Sequence, residues 1–215
     1  MLFPAYGLSM FGDASKIASV LTPPHHMNGN IKDMIMPVMA TDRPAAVLVG
    51  LITHQQSLHI LMTRRAAHLA THPGQISFPG GKIETHDATP VDAALREAHE
   101  EVALQPDHVT ILGSLSVLRS PAGFIVAPIV GMITADEGDE VKLTPDPAEV
   151  DDILLLPLDH MLDRQNYRRE THERDGVARQ TWVIDHPAHY IWGLSAAIIV
   201  ELSDRLQTLS QTGAG

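Results

Sequence analysis

The sequence predicts an α/β (α+β) fold in which a mixed sheet lies between helices. Short apolar runs of strand length recur along the chain, and amphipathic stretches of helical spacing are interspersed among them. The two kinds of segment do not alternate strictly, as they would in an all-parallel sheet. With 215 residues, 44% hydrophobic and 19% charged, the chain is long enough and apolar enough to bury a real core. No internal repeat or low-complexity block interrupts it.

From the N-terminus, "DASKIASVL" reads as a short helix with Asp13 as N-cap and apolar Ile17, Val20 and Leu21. Pro23 and Pro24 end it, and residues 22–43 read as a loop or linker. "AAVLVGLI" (45–52) is a buried strand, and "QQS" turns it into a second strand, "LHILMTR" (58–64), as a hairpin. "QISF" (75–78) is a short strand before the break "PGG", and a helix follows it. "HVTILGSL" (108–115) and "FIVAPIVGMI" (124–133) are strands joined through "RSPAG". "AEVDDILLLPL" (148–158) and "RQTWVID" (179–185) are strands, and "GLSAAIIVELSDRL" (193–206) is an amphipathic helix. The expected organisation is an N-terminal extension with a short helix (1–39), one domain (40–206) and a frayed tail (207–215).

The formal net charge is −11 with 15 Lys and Arg, which excludes a broad nucleic-acid-binding face. An anionic small molecule needs positive charge supplied locally or by a metal. The absence of cysteine excludes disulfides, thiolate nucleophiles and cysteine-based zinc sites, and suits a cytoplasmic protein. No apolar run reaches membrane-spanning length, and the start lacks the basic region of a signal peptide. A homodimer is left open.

The segment "DATPVDAALREAHEEVAL" (87–104) carries the chemistry. Thr89 is the expected N-cap, Pro90 falls at N1, and Asp92 at N3 can close a capping box. Val91, Ala94, Leu95, Ala98 and Val102 form an apolar stripe, and Glu97, Glu100 and Glu101 are expected to cluster on the side away from it. Such like-charge neighbours cost roughly 0.2–0.5 kcal/mol per pair. Carboxylates late in a helix also oppose its dipole. A solvated acidic face is the plain explanation. The glycine turn "FPGGK" (78–82) upstream supports another: carboxylates plus a main-chain carbonyl make an all-oxygen site suited to Mg²⁺ or Mn²⁺. The pair His68 and His72 is not read as zinc-binding, because no Glu follows the first His and Pro73-Gly74 break the helix that would align them.

With these residues in view, "GGKIETHDATPVDAALREAHEEVAL" (80–104) resembles the signature box of the Nudix hydrolases. Gly81 matches the leading glycine, Asp87 the internal acidic position, and Arg96, Glu97, Glu100 and Glu101 the core. The gap from Gly81 to Arg96 is one residue longer than in the general box, and Ala103 stands where the family has glycine. The longer gap is similar to that of the coenzyme A pyrophosphatase branch. "ILMTRRAAHLATHPGQISFPGG" (60–81) also resembles that branch's upstream signature through Thr63, Arg64 or Arg65, Leu69, His72, Gly74, Gln75, Phe78, Pro79, Gly80 and Gly81. It departs at Ala70 and at the Arg64-Arg65 pair.

The resemblance implies an α/β/α sandwich and metal-dependent hydrolysis of a nucleoside diphosphate linked to another moiety. For coenzyme A the products are 3′,5′-ADP and 4′-phosphopantetheine. It implies Glu97 and Glu101 as principal metal ligands, with the Gly81 carbonyl completing the shell. Glu100 is a further ligand or the activator of water. Arg96 is expected in the catalytic group as the residue that holds a glutamate in position, and Glu149 is an alternative base. Arg64, Arg65 and Lys82 are candidates for phosphate binding, His72 and Gln75 for substrate contact, and Phe78 for core or stacking. ADP-ribose, NADH or another nucleoside diphosphate derivative is an alternative substrate, and a non-catalytic nucleotide sensor is the alternative from another class.

Overall fold

The computed structural model describes residues 14–23, 41–135, 141–174 and 177–212, with the backbone alone at 174, 177 and 209–212. Asp13, the expected N-cap of the first helix, lies outside the described residues.

Helix α1 (Ala14–Ser19) is followed by strands β1 (Arg43–His54), β2 (Ser57–Arg65), β3 (Ile76–Ser77) and β4 (Gly80–Lys82). Then come helix α2 (Pro90–Val102), strands β5 (Val109–Ser114), β6 (Leu118–Arg119), β7 (Phe124–Ile133) and β8 (Val150–Pro157), and helix α3 (Leu158–Leu162). Strands β9 (Tyr167–Arg174), β10 (Val177–His186) and β11 (His189–Trp192) lead into helix α4 (Gly193–Thr212). The first eight strands form one mixed sheet and the last three a small antiparallel one.

The long strand β1 organises the main sheet. One edge pairs in parallel with β7 over its whole length, from Arg43 opposite Phe124 to Ile52 opposite Ile133. The other edge is shared: its first half pairs with β4 (Ala46 opposite Gly81) and its second half with β2 (Leu51 opposite Ile60). That split directs β4 and the end of β2 to the same region of the sheet.

Side-chain alternation sorts the two faces. On β1, Ala46, Leu48 and Ile52 pack with Ala93, Ala94, Ala98 and Val102 of α2, while Val49 and Leu51 pack on the other face with Ile198, Ile199 and Leu202 of α4. Ile17 and Leu21 join the α4 side, and Thr22 exchanges backbone hydrogen bonds with Ser114 of β5, so residues 14–23 are part of the core packing. The sheet is thus covered on both faces, as expected. Helix α4 runs six residues past the expected end at 206. Ser203 Oγ donates to the Leu162 carbonyl, and Arg205 bonds to Glu201, to the Val20 carbonyl and to Ser116, which anchors the helix around residues 203–205.

Two expected features take another form. "PGG" is not a plain turn ahead of the helix: Gly80–Lys82 is a strand, and residues 83–89 separate it from α2. The apolar stripe of α2 includes Pro90 and Ala93, whereas Leu95 is only half-buried. The start of α2 is as expected, with Thr89 accepting from the Asp92 N–H while Asp92 Oδ2 accepts from the Thr89 N–H at 2.8 Å.

Its end explains the family's preference for glycine. Ala103 sits in the left-handed region (φ 56°, ψ 22°), its N–H donating to the carbonyls of Ala98 and His99. An L-residue there is strained by roughly 1 kcal/mol, a strain glycine does not feel. Ala103→Gly is therefore expected to stabilise the protein by about 0.5–1 kcal/mol in urea unfolding, despite the greater freedom glycine gives the unfolded chain. A loss of stability would show that the cap is not strained.

Candidate active site

The residues of the box converge through Arg96. Its guanidinium donates to both oxygens of Asp87 (3.1 and 3.0 Å), to Glu97 Oε1 (3.0 Å), to Glu100 Oε2 (2.9 Å) and to the Lys82 carbonyl (3.0 Å). One planar cation thus ties α2 to strand β4 and to the loop between them. Asp87 has a side chain only 2% exposed, and its Oδ2 also accepts from the Glu84 N–H at 2.7 Å. Burial alone would raise the Asp87 carboxyl. The hydrogen bonds from Arg96 and from Glu84 N–H, with the charges of Arg96 and His86, outweigh it and hold the group below the usual carboxylate range. The same contacts, the Asp87 bond foremost, raise the Arg96 guanidinium further.

The three glutamates do not share one solvated face, contrary to the helical-wheel expectation. Glu100 is exposed, Glu97 is largely covered, and Glu101 is 3% exposed. Ala93, Glu97 and Glu101 follow one another at four-residue spacing, so the buried row of α2 begins with a small residue and ends in two acids. Room for them comes from β4. A Cβ on Gly81 would lie 2.4 Å from Glu97 Oε1, so the carboxylate rests directly on the glycine backbone. Gly80 has φ +156°, and a Cβ there would lie 2.4 Å from the Ala46 carbonyl oxygen.

Electrostatics mark Glu101 out. Burial, then the charge of Glu97, then that of Glu149 push its carboxyl up to about 8, against the opposing charge of Arg65 and a backbone hydrogen bond at Gly80. Its Oε2 is buried with no hydrogen-bond partner. Glu97 is also raised, chiefly by burial and further by Glu100 and Glu149, with Arg96 opposing. The charge of Glu149, in the turn immediately before β8, raises both acids, so a fourth carboxylate acts on the cluster from outside α2. As they stand, Glu97 and Glu100 turn toward Arg96. Among the described residues, no group of three acidic or histidine side chains closes into a ready metal cage.

The remaining candidates separate. Arg65 reaches the Glu101 side, whereas Arg64 lines a cleft on the opposite face with His72 and Gln75. Lys82 is exposed on β4, where its carbonyl rather than its ammonium serves the site. Phe78, offered for core or stacking and grouped with the substrate-side candidates, is 2% exposed and takes the first role, packing in the core on the α4 side.

A mixed sheet between helices thus carries a glycine strand laid against the acids of one helix. The NUDIX domain matches residues 41–178, and the chain belongs to the Nudix family. Over 174 residues it is 38% identical to the uncharacterized Nudix hydrolase NudL of Enterobacter sp. (strain 638), covering 79% of this chain and 88% of that one. Over 167 residues it is 39% identical to NudL of Pectobacterium atrosepticum, covering 76% and 84%. A crystal structure of the Nudix hydrolase RenU from M. smegmatis has a similar fold, with a TM-score of 0.51 at 16% identity over 79% of this chain and 86% of that one. Nudix hydrolases act on small-molecule nucleotide derivatives and generally use divalent cations. Among the described residues, no helix is long and apolar enough to cross a membrane.

The site of this chain fits a divalent cation. Glu101 Oε2 is a buried oxygen ligand with no hydrogen-bond partner, and the missing side chain at Gly81 leaves the Glu97 carboxylate against bare backbone.

Proposed function

We propose that the protein is a Mg²⁺- or Mn²⁺-dependent pyrophosphohydrolase that splits the diphosphate of coenzyme A or an acyl derivative into 3′,5′-ADP and 4′-phosphopantetheine (or its acyl form). The observation that carries the metal-dependent chemistry is the buried Glu101, whose Oε2 has no hydrogen-bond partner, beside Glu97. The substrate rests on the likeness of residues 60–81 to the upstream signature of the coenzyme A branch.

In this reading Glu97 and Glu101 hold the metal, with the Gly81 carbonyl as a further oxygen. A divalent cation held there would supply charge neutralisation of the diphosphate oxygens, which would lower the cost of attack by water at phosphorus. Arg96 acts as a positioning residue, because its hydrogen bonds go to carboxylates and a carbonyl of its own chain. Arg65 places a positive charge next to the acids, where a phosphate would approach. Glu100 is the most exposed of the three box glutamates and is held by Arg96, which leaves it able to orient or deprotonate water. Glu149, in the turn before β8, acts on the same two acids and is the second candidate for that task.

Turnover of coenzyme A, ADP-ribose and NADH with Mg²⁺ tests the substrate: coenzyme A is expected to give the highest kcat/KM, and the lowest value for it would overturn the assignment. Glu100→Gln is expected to lower turnover by ~10²-fold or more, since it removes charge where water or metal is held. An unchanged rate would pass the base to Glu149, checked by Glu149→Gln. A nucleotide sensor would bind these compounds without releasing product.

A further inference from the structure

We propose that Tyr190 and Trp192, with Arg64, form a stacking subsite that takes the purine base and a phosphate of a nucleoside phosphate; the proposal rests on the hydrolase reading for what the other end of the ligand does. The subsite lies outside the acidic cluster. A cleft of about 260 Å³ is walled by Arg64, His72, Gln75, Ile76, Tyr190 and Trp192. That is below the roughly 300–1,000 Å³ of pockets that take a whole drug-sized ligand, and suits one moiety of a larger one.

Tyr190 is 46% exposed, and among the described residues it is the large hydrophobic side chain left open to water. It is nonetheless held in place. Its hydroxyl donates to Glu170 Oε2 at 2.5 Å, and Glu170 is itself paired with Arg168 and lies 3.2 Å from His172 Nε2. Tyr190 and Trp192 alternate along β11, so they share a face. Their ring centroids are 6.2 Å apart at 30°, and His172 continues the row 5.0 Å from Trp192 at 31°. A pre-oriented row of tilted rings with one open face offers stacking area at little entropic cost.

The charge beside it is also fixed. Arg64 donates to His189 Nδ1 at 3.3 Å, which makes that ring nitrogen the acceptor. Asp152 is 4.0 Å from Arg64 Nε. The guanidinium lines the cleft, and its forked donors match a phosphate. The cleft is joined to the catalytic side through the backbone. Gly74 N–H donates to the Arg65 carbonyl and Arg65 N–H to the Gln75 carbonyl, both at 3.0 Å. The end of β2 therefore sends one arginine to the acids and the next to the cleft. A diphosphate compound reaching from one to the other would be read at both ends.

Calorimetric titration of the full chain with adenosine 3′,5′-bisphosphate in metal-free buffer tests this. Saturable binding is expected, weakened by about tenfold or more in Tyr190→Leu, which keeps apolar bulk without a π face, and retained in Tyr190→Phe. Arg64→Gln is expected to weaken it comparably, and ribose 5-phosphate, which has no base, to bind far less well. Equal binding by Tyr190→Leu, equal binding of ribose 5-phosphate, or no binding by the wild type overturns the subsite. Thermal melting of Tyr190→Leu separates a folding defect from a binding one. The two readings fail separately: coenzyme A turnover with a KM indifferent to Tyr190→Leu sinks the subsite and leaves the hydrolase. Tyr190-dependent binding without any turnover does the reverse.

Discussion

Arg96→Ala is expected to remove about 3–5 kcal/mol of stability, the scale measured when one partner of a buried ion pair is deleted. The guanidinium is 18% exposed and Asp87 2%, so solvent screens the pair little. Without Arg96 the Asp87 carboxylate keeps the Glu84 N–H and the His86 ring 3.8 Å away but loses its cationic fork, while Glu97 and Glu100 lose the cation between them. Arg96→Lys should recover little, because a point charge cannot serve two Asp87 oxygens, two further carboxylates and a carbonyl at once. For a chain of this size the loss corresponds to a melting temperature lower by about 10 °C. Acid gives an independent check. Asp87 is held below its usual value of 3.8, so its contribution is present above that value and is lost as pH falls through the lower folded-state one. The gap between wild type and Arg96→Ala should therefore narrow as the solution is acidified toward about pH 3. A loss under about 1 kcal/mol at neutral pH would reduce these contacts to an ordinary surface ion pair.

Much of this architecture is legible in the sequence because local and global signals agree. The apolar runs at 45–52 and 124–133 are central strands, and the Thr89-Pro90-Asp92 start of α2 closes as its chemistry dictates. Three features escape for separate physical reasons. Periodicity weighs apolar positions, so a buried acid is invisible to it: Glu101 reads as part of an acidic face away from the stripe, yet it is buried, and β4 makes room beside it by offering Glu97 a bare glycine backbone. Strand β9, "YRRETHER", is nearly all polar because its small sheet is largely solvated, and it offers no alternation to detect. Helix α3 and strand β11 span five and four residues, too few to display a period. For β11 a compositional signal existed. In a chain with 4% aromatic residues, Tyr190 and Trp192 stand two apart, the spacing of one strand face.

Glu101→Gln should make the metal-free protein more stable and catalytically inert, the pairing expected where a strained group is kept for function. The carboxyl has a folded-state value of about 8 against 4.5 for the free group. The folded chain therefore holds this proton more tightly than the unfolded one. Its stabilising effect is complete below the unfolded value and is lost as pH rises through the folded one. Across that window wild-type stability should decline by on the order of a few kcal/mol, and the decline should be missing in Glu101→Gln, which has no charge to bury. Above about pH 8 the variant should melt higher than the wild type. A divalent cation should reverse the order: it favours the ionised carboxylate, so Mg²⁺ or Mn²⁺ should raise the wild-type melting temperature, more so as its concentration increases, and leave Glu101→Gln nearly unmoved. Turnover should fall by ~10²-fold or more with the loss of that ligand. Melting curves between about pH 5 and pH 9, with and without the cation, separate these effects. A wild-type profile flat across that range would show that Glu101 is not an ionisable group under strain. If the cation stabilises both proteins alike, it is bound elsewhere, and the role given to the acids beneath strand β4 is lost with it.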